Sequence, residues 1–465
     1  MKSPSQAVKP PANGGLAAPK RSEGGLPRVF SILFGLFFGL ALVKFPNPPM
    51  AEVWKSNQFI GNFIIWPTNG YEWIFSSWPN VICYGLLAAL AVLGIFSARW
   101  KIKSPRWLLA MPLVWLGWQF ISGTHTLDAQ LTGATLKHFT ACVVCFYLGA
   151  FALSRIQDLT GFCIGLLAGF AWVLADGLSQ HFGGLEETRK QFWLYVYPTR
   201  SEMPPEWLKR MNSDRIFSTL FYANTLAGAL LLCLPALLMF VWRLERQFTI
   251  GARTLLVALI GLPALACLFW SGSKGGWLLM LLLGLIALLR LKFDRKWKIA
   301  LIVVILVCGL TGFAVRFSGY FKKGATSVSA RFDYWRAAVQ TTAANPLFGT
   351  GPGTFAIPYR QLKKPEAEMA RLTHNDYLEQ ASDSGLPGFL AYALAIGGAL
   401  AWSGRRAMRV GGQFFAVWLG VLAWALQNFV EFGSYIPALS WLAFALLGWL
   451  VGSPGNQFDK TKPAA

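Results

Sequence analysis

The sequence predicts an all-α membrane protein of about twelve transmembrane helices, with a large periplasmic loop between helices nine and ten. Three observations predict it. The chain of 465 residues is 55% hydrophobic and only 14% charged, where soluble chains are about 45–50% apolar and about 25% charged. Its apolar residues gather in blocks close to the ~20 residues that cross a bilayer. Its basic residues cluster between those blocks, and on alternate sides.

The blocks lie near 29–45, 79–97, 107–123, 138–154, 160–179, 219–242, 253–271, 275–290, 298–315, 386–402, 413–430 and 435–452. With the N-terminus inside, the short inner loops hold Arg99, Lys101, Lys103 and Arg106; Arg155; Arg243, Arg246 and Arg253; Arg290, Lys292, Arg295, Lys296 and Lys298; and Arg405, Arg406 and Arg409. The short outer loops hold Lys44, Lys55, Lys137 and Lys274. That asymmetry sets the expected orientation, with both termini cytoplasmic. It also accounts for the net charge of +21, so nucleic-acid binding is not expected.

The organisation follows. Residues 1–28, rich in Pro, Gly, Ala and Lys, read as a disordered cytoplasmic tail without a cleavable signal. Residues 29–315 carry helices one to nine with a periplasmic loop at 180–218; 316–385 form the large periplasmic loop; 386–452 carry helices ten to twelve; and 453–465 form a cytoplasmic tail. Both long loops contain aromatics, among them Trp193, Tyr195, Tyr197 and Trp207, and are read as folded. The stretch 46–78, with Trp54, Trp66, Tyr71, Trp73 and Trp78, suits an interfacial segment. All seven cysteines sit in apolar blocks. The Cys142-Val-Val-Cys145 pair therefore reads as buried small residues rather than a metal or redox motif, and no disulfides are expected.

Four constellations could carry chemistry. The sharpest runs from Arg371 through Thr373-His374-Asn375-Asp376 to Gly385. Thr373 with Asp376 resembles a capping box, so a short helix is expected from His374 to about Ser384, ending at Gly385. That puts His374 in a first turn, beside free N–H groups and the positive dipole end, which favours a neutral ring. A histidine's unperturbed pKa, ~6.5, suits a general base. His125, His138 and His181 are explained by interfacial packing.

The second constellation is the turn Trp270-Ser-Gly-Ser-Lys274-Gly-Gly-Trp277. A lysine beside glycine-flanked N–H groups suits phosphate; a plain hairpin with a snorkelling lysine explains it equally. The third is Asp214-Arg215 through Asn224. Asn224 is expected about two turns inside a span, where an amide must be paired and is a functional candidate. The fourth is Arg331-Phe-Asp-Tyr-Trp-Arg336, followed by Asn345-Pro-Leu-Phe-Gly-Thr-Gly-Pro-Gly353. No Gly-Lys-Ser/Thr follows, so it is no P-loop, and it reads as a positioning turn.

In this order the constellations resemble the O-antigen ligase and polymerase superfamily of membrane glycosyltransferases: Arg215…Asn224, Ser271-Gly-Ser-Lys274-Gly-Gly, Arg331-Phe-Asp-Tyr-Trp-Arg336, Asn345-Pro-Leu-Phe-Gly-Thr-Gly351, His374-Asn-Asp-Tyr-Leu-Glu379 and Glu431-Phe-Gly-Ser-Tyr-Ile-Pro437. The resemblance runs from about residue 210 to 450; residues 1–150 share only hydropathy. It implies a donor glycan on undecaprenyl pyrophosphate, with His374 as the base and Arg215 and Lys274 on the pyrophosphate. Asn224, Arg331, Arg336, Asn375 and Asp376 are further substrate-binding candidates within these motifs. Two departures stand out. Lys274 replaces the usual Arg, giving a point charge instead of a bidentate fork. Ser218-Thr219-Leu220 and Tyr222-Ala223-Asn224 replace a common Gly-Thr-Phe and Asn-Pro-Asn.

The resemblance implies glycan transfer to an acceptor hydroxyl, expected to be on lipid A-core, at the periplasmic face of a bacterial inner membrane. The alternatives are a polymerase extending another lipid-linked repeat, a protein O-oligosaccharyltransferase and, from a different class, a twelve-helix transporter. No cofactor is expected. Asp333, Asp376 and Glu379 share the large loop without a recognised ligand spacing, so no metal is expected either.

Overall fold

The structure, a computed structural model, describes residues 25–53, 66–67, 69–199, 208, 211–291, 293–322 and 326–453. The expectations for residues 1–24 and 454–465, and for Trp54, Lys55, Trp207 and Lys292, lie outside the described residues. Every regular element described is helical. The main helices are α1 (Gly25–Lys44), α2 (Asn80–Ser97), α3 (Arg106–Gly123), α4 (Ala129–Tyr147), α5 (Thr160–Ser179), α6 (Ala223–Trp242), α7 (Ile250–Trp270), α8 (Lys274–Arg290), α9 (Arg295–Lys322), α10 (Thr326–Ala344), α11 (Asp376–Val410), α12 (Gly412–Gln427) and α13 (Pro437–Gly452).

Each apolar block falls on a helix. Eight helices among the described residues are long and apolar enough to cross a membrane; α12 and α13 are shorter apolar helices. The boundaries differ from the sequence reading in three instructive places. Helix α1 begins at Gly25, inside the stretch read as a disordered tail. Helix α6 begins at Ala223, because Ser218–Leu220 form a 3-10 turn and Phe221 is left-handed with φ 64°. Helix α9 continues to Lys322, so the polar stretch after residue 315 begins as helix.

Close approach of backbones organises the bundle, as membrane helix pairs favour. Helices α1 and α5 cross at Gly39 and Gly169, where an added Cβ would lie within 2.4 Å of the facing backbone on either helix. Helix α13 is the most enclosed, with α12 and α6 next, whereas α9 is peripheral and buries only Phe317.

Helix α11 is two helices joined at a break. Gly385 has φ 68° and ψ −178°, and a Cβ there would meet the Leu347 carbonyl oxygen at 2.1 Å. The glycine turn 349–353 packs on this break: Gly353 N donates to Asp383 Oδ2 at 2.6 Å, and Leu386 N donates to the Pro346 carbonyl at 2.8 Å. The segment 345–355 thus braces the first piece of α11, which His374 precedes by two residues.

Candidate active site

The beginnings of α6, α8, α10 and α11 and the turn between α12 and α13 enclose a cleft in which charged side chains are set among apolar and aromatic ones. Two cavities, of about 490 Å³ and about 380 Å³, share Arg215, Asn224, Lys274, His374 and Glu431 among their lining residues. Three of the four constellations therefore converge here, and the fourth contributes Arg331.

Arg215 reaches the cleft from the segment ahead of α6. Its Nε donates to the Ser271 carbonyl at 2.6 Å and its Nη2 to Asn224 Oδ1 at 2.7 Å. Gly272, with φ +60°, makes room: a Cβ there would lie 3.3 Å from Arg215 Nε. Ser273 caps α8 by accepting from Gly276 N at 3.2 Å, which makes Lys274 the first residue of that helix. Burial, then the neighbouring Arg215, Arg331 and Arg316, lower the Lys274 ammonium to about 8.

Asn224 is the second residue of α6, so it lies at the mouth rather than two turns inside. Its Nδ2 donates to Glu431 Oε1 at 2.5 Å. Arg331 on α10 also donates to Glu431 and, through Nε, to the Val430 carbonyl at 3.0 Å. His374 Nδ1 lies 3.3 Å from Glu431 Oε2. One carboxylate therefore joins the cation arm, Arg215–Asn224 and Arg331, to the imidazole. Burial would push the Glu431 carboxyl up; Arg331, His374 and Arg215 outweigh it and hold it below the usual carboxylate range.

The sequence motifs alone assign Glu431 no role. The available signal was its isolation: it is the sole acidic residue between Asp383 and Asp459, in the short link between two apolar blocks. Its turn is clamped from below. Asp376 Oδ2 accepts from Ser434 N at 2.7 Å, and Asp376 N donates to the Asn428 carbonyl at 2.8 Å. Buried His138 adds Nε2 at 2.8 Å from the Ser434 carbonyl, while Trp441 Nε1 donates to His138 Nδ1 at 3.1 Å. His138 is thus a core residue behind the site, not an interfacial one. His125 and His181 stack on Phe348 and Trp270, with centroids 4.0 and 3.6 Å apart.

The expected capping box is replaced by another cap. Asn375 is the N-cap of α11, accepting from Tyr377 N and Leu378 N at 3.1 Å each, while Thr373 Oγ1 donates to the Asn375 carbonyl at 2.7 Å. His374 consequently precedes the helix and has φ 52°. The short Asn side chain closes the cap at residue 375, which the Thr-to-Asp spacing had placed two residues earlier. Among the described residues, Ser218, Phe221 and His374 are the non-glycine residues with positive φ, and strained backbone of this kind clusters at functional sites. Tyr334 and Phe432 hold the His374 ring, with centroids 5.9 and 4.8 Å away.

Of the candidates read from sequence, His374, Arg215, Lys274, Asn224 and Arg331 meet in the cleft. Asn375 and Asp376 do not line it; they hold α11 and the Glu431 turn. Arg336 also lies apart, with Nη2 3.5 Å from Asp333, which Lys364 approaches at 3.7 Å. Five helical residues turn the chain by about 140°, so Arg331 and Arg336 face different ways.

Residues 259–393 match the family model described as O-antigen ligase. That stretch contains Lys274, Arg331 and His374 but not Arg215, Asn224 or Glu431. A relative in Haemophilus influenzae (strain ATCC 51907 / DSM 11121 / KW20 / Rd), described as an uncharacterized protein, is 32% identical over 149 residues. The match covers 27% of this chain and 37% of the relative, so the chain spans little more than a third of that protein's length. The apolar helices make this a multi-pass membrane protein, and the match over residues 259–393 supports the O-antigen ligase superfamily.

Proposed function

We propose that the chain is a membrane glycosyltransferase that moves a glycan from undecaprenyl pyrophosphate to an acceptor hydroxyl, with lipid A-core as the first acceptor to test. The observation that carries this reading is the meeting of His374 with Arg215, Lys274 and Arg331 around one cleft. In this reading the chain crosses a bacterial inner membrane twelve times, both termini are cytoplasmic and the cleft faces the periplasm. The 180–218 and 316–385 segments lie on that face.

The chemistry follows from the residues. The donor pyrophosphate lies against Lys274, Arg215 and the α8 N-terminus, where cations and free N–H groups stabilise the charge that grows on it as the bond to the anomeric carbon breaks. The acceptor oxygen forms the new bond to that carbon and gives its proton to His374 Nε2. Glu431 accepts the Nδ1–H, presents the Nε2 lone pair and stabilises the imidazolium. Undecaprenyl pyrophosphate leaves, and no nucleotide is consumed.

The polymerase reading differs only in acceptor. A deletion strain separates the two. Ligase activity predicts that long lipid-linked glycan persists while lipopolysaccharide loses it. Loss of long lipid-linked glycan itself would favour the polymerase, and unchanged glycans in both pools would refute the proposal.

A further inference from the structure

We propose that Tyr320 and Phe317 form an aromatic clamp that positions the Lys274 ammonium for the donor pyrophosphate; this rests on the reading that Lys274 binds that group. The register of α8 against α9 builds the clamp. Trp277 Nε1 donates to the Gly309 carbonyl at 3.2 Å, and a Cβ on Gly309 would strike Leu281 at 2.4 Å, so the two helices are locked face to face. Toward the cleft from that lock, α8 reaches Lys274 and α9 reaches Phe317 and Tyr320. Lys274 Nζ lies 3.7 Å from the Tyr320 ring centroid and 5.2 Å from that of Phe317.

Tyr320 is itself fixed. Its hydroxyl lies 2.6 Å from Ser327 Oγ and accepts from Val328 N at 3.2 Å, which ties the end of α9 to the start of α10. Phe317 is buried. Among the described residues no carboxylate forms an ion pair with Lys274, and the strongest charges acting on it are the cations of Arg215, Arg331 and Arg316.

An ammonium among guanidiniums is driven away from them unless something attractive holds it. A carboxylate would hold it but neutralise it and compete with phosphate. A ring face attracts the cation electrostatically without cancelling its charge. The compact ammonium of lysine can rest over one ring while its remaining hydrogens face the cleft.

The test is binding of undecaprenyl pyrophosphate to the detergent-purified full chain. Tyr320→Leu is expected to weaken binding about tenfold, while Tyr320→Phe, which keeps the ring face but loses the hydroxyl bonds that fix it, should weaken binding clearly less than Tyr320→Leu. Phe317→Leu, which leaves the Tyr320 hydroxyl bonds in place, should weaken binding by a smaller factor. In a Lys274→Ala background, Tyr320→Leu should add nothing. Unaltered affinity in both leucine variants, with Lys274→Ala weakened, overturns the clamp and leaves the pyrophosphate reading standing. Equal loss in Tyr320→Phe and Tyr320→Leu assigns the effect to the hydroxyl and also overturns it. Unaltered binding by Lys274→Ala overturns the underlying reading itself.

Discussion

The His374 imidazole places Nδ1 3.3 Å from Glu431 Oε2, across 57 residues of chain. The same carboxylate receives Asn224 and Arg331. A proton acceptor and the cations that would hold a leaving pyrophosphate therefore share one anchor, and neither arm can shift without disturbing the other.

Glu431→Gln tests that relationship. The amide removes the charge that orients the ring and supports an imidazolium, and it leaves Arg331 without its counter-ion. Glycan transfer is expected to fall about 10²-fold, part of the ~10²–10⁴ a general base supplies. Glu431→Asp, which keeps the charge on a shorter arm, should retain more activity. Steady-state rates on the purified protein check both, and equal rates for the Gln variant and the unaltered chain would remove Glu431 from the mechanism.

Lys274 gives a pH dependence of known sign. Burial and the cations of Arg215, Arg331 and Arg316 lower its ammonium to about 8. Below that pH it is charged and attracts the donor; above it the charge is lost. Donor kcat/KM, which reports the free enzyme, should decline as pH rises through about 8. Lys274→Arg stays charged across this range, so it should keep activity and lose this alkaline limb. An unchanged limb in the Arg variant would assign it to another group.

Gly272 supports Arg215 through its backbone. At φ +60°, alanine is strained by about 1–2 kcal/mol, and its Cβ would lie 3.3 Å from Arg215 Nε. Gly272→Ala should lower the melting temperature and weaken donor binding together. Gly275→Ala, whose Cβ meets only Val430 at 3.6 Å, should leave the melting temperature nearly unchanged. Similar melting temperatures for the two variants would contradict this account of the turn.

Topology is checked independently. Reporter fusions after Arg246 and after Lys364 are expected to give opposite readouts, cytoplasmic and periplasmic. Matching readouts would refute this topology.

The helices were legible because a bilayer demands long apolar blocks, and every block lies on a helix. What escaped was set locally or at long range. Asn375 rather than Thr373 caps α11, so His374 lies outside the helix it was expected to open. The left-handed Phe221 delays α6 and brings Asn224 to the mouth. Arg331 and Arg336 share a motif, but only Arg331 faces the cleft, since a linear motif does not fix a helix's rotation. Glu431 gains its meaning from Asn224, Arg331 and His374, all more than 50 residues away, and a lone acid between apolar blocks otherwise resembles an interfacial turn.

The most direct measurement is glycan transfer by purified, reconstituted His374→Ala, given undecaprenyl-pyrophosphate-linked glycan and a lipid A-core acceptor. His374 precedes α11 and is about a third exposed, so the variant should fold and insert normally. A loss of about 10²–10⁴-fold is expected, with donor binding retained. His374→Gln should be nearly as impaired, because an amide cannot take the proton. Near-normal transfer by the alanine variant would contradict the account and leave the cleft without its base.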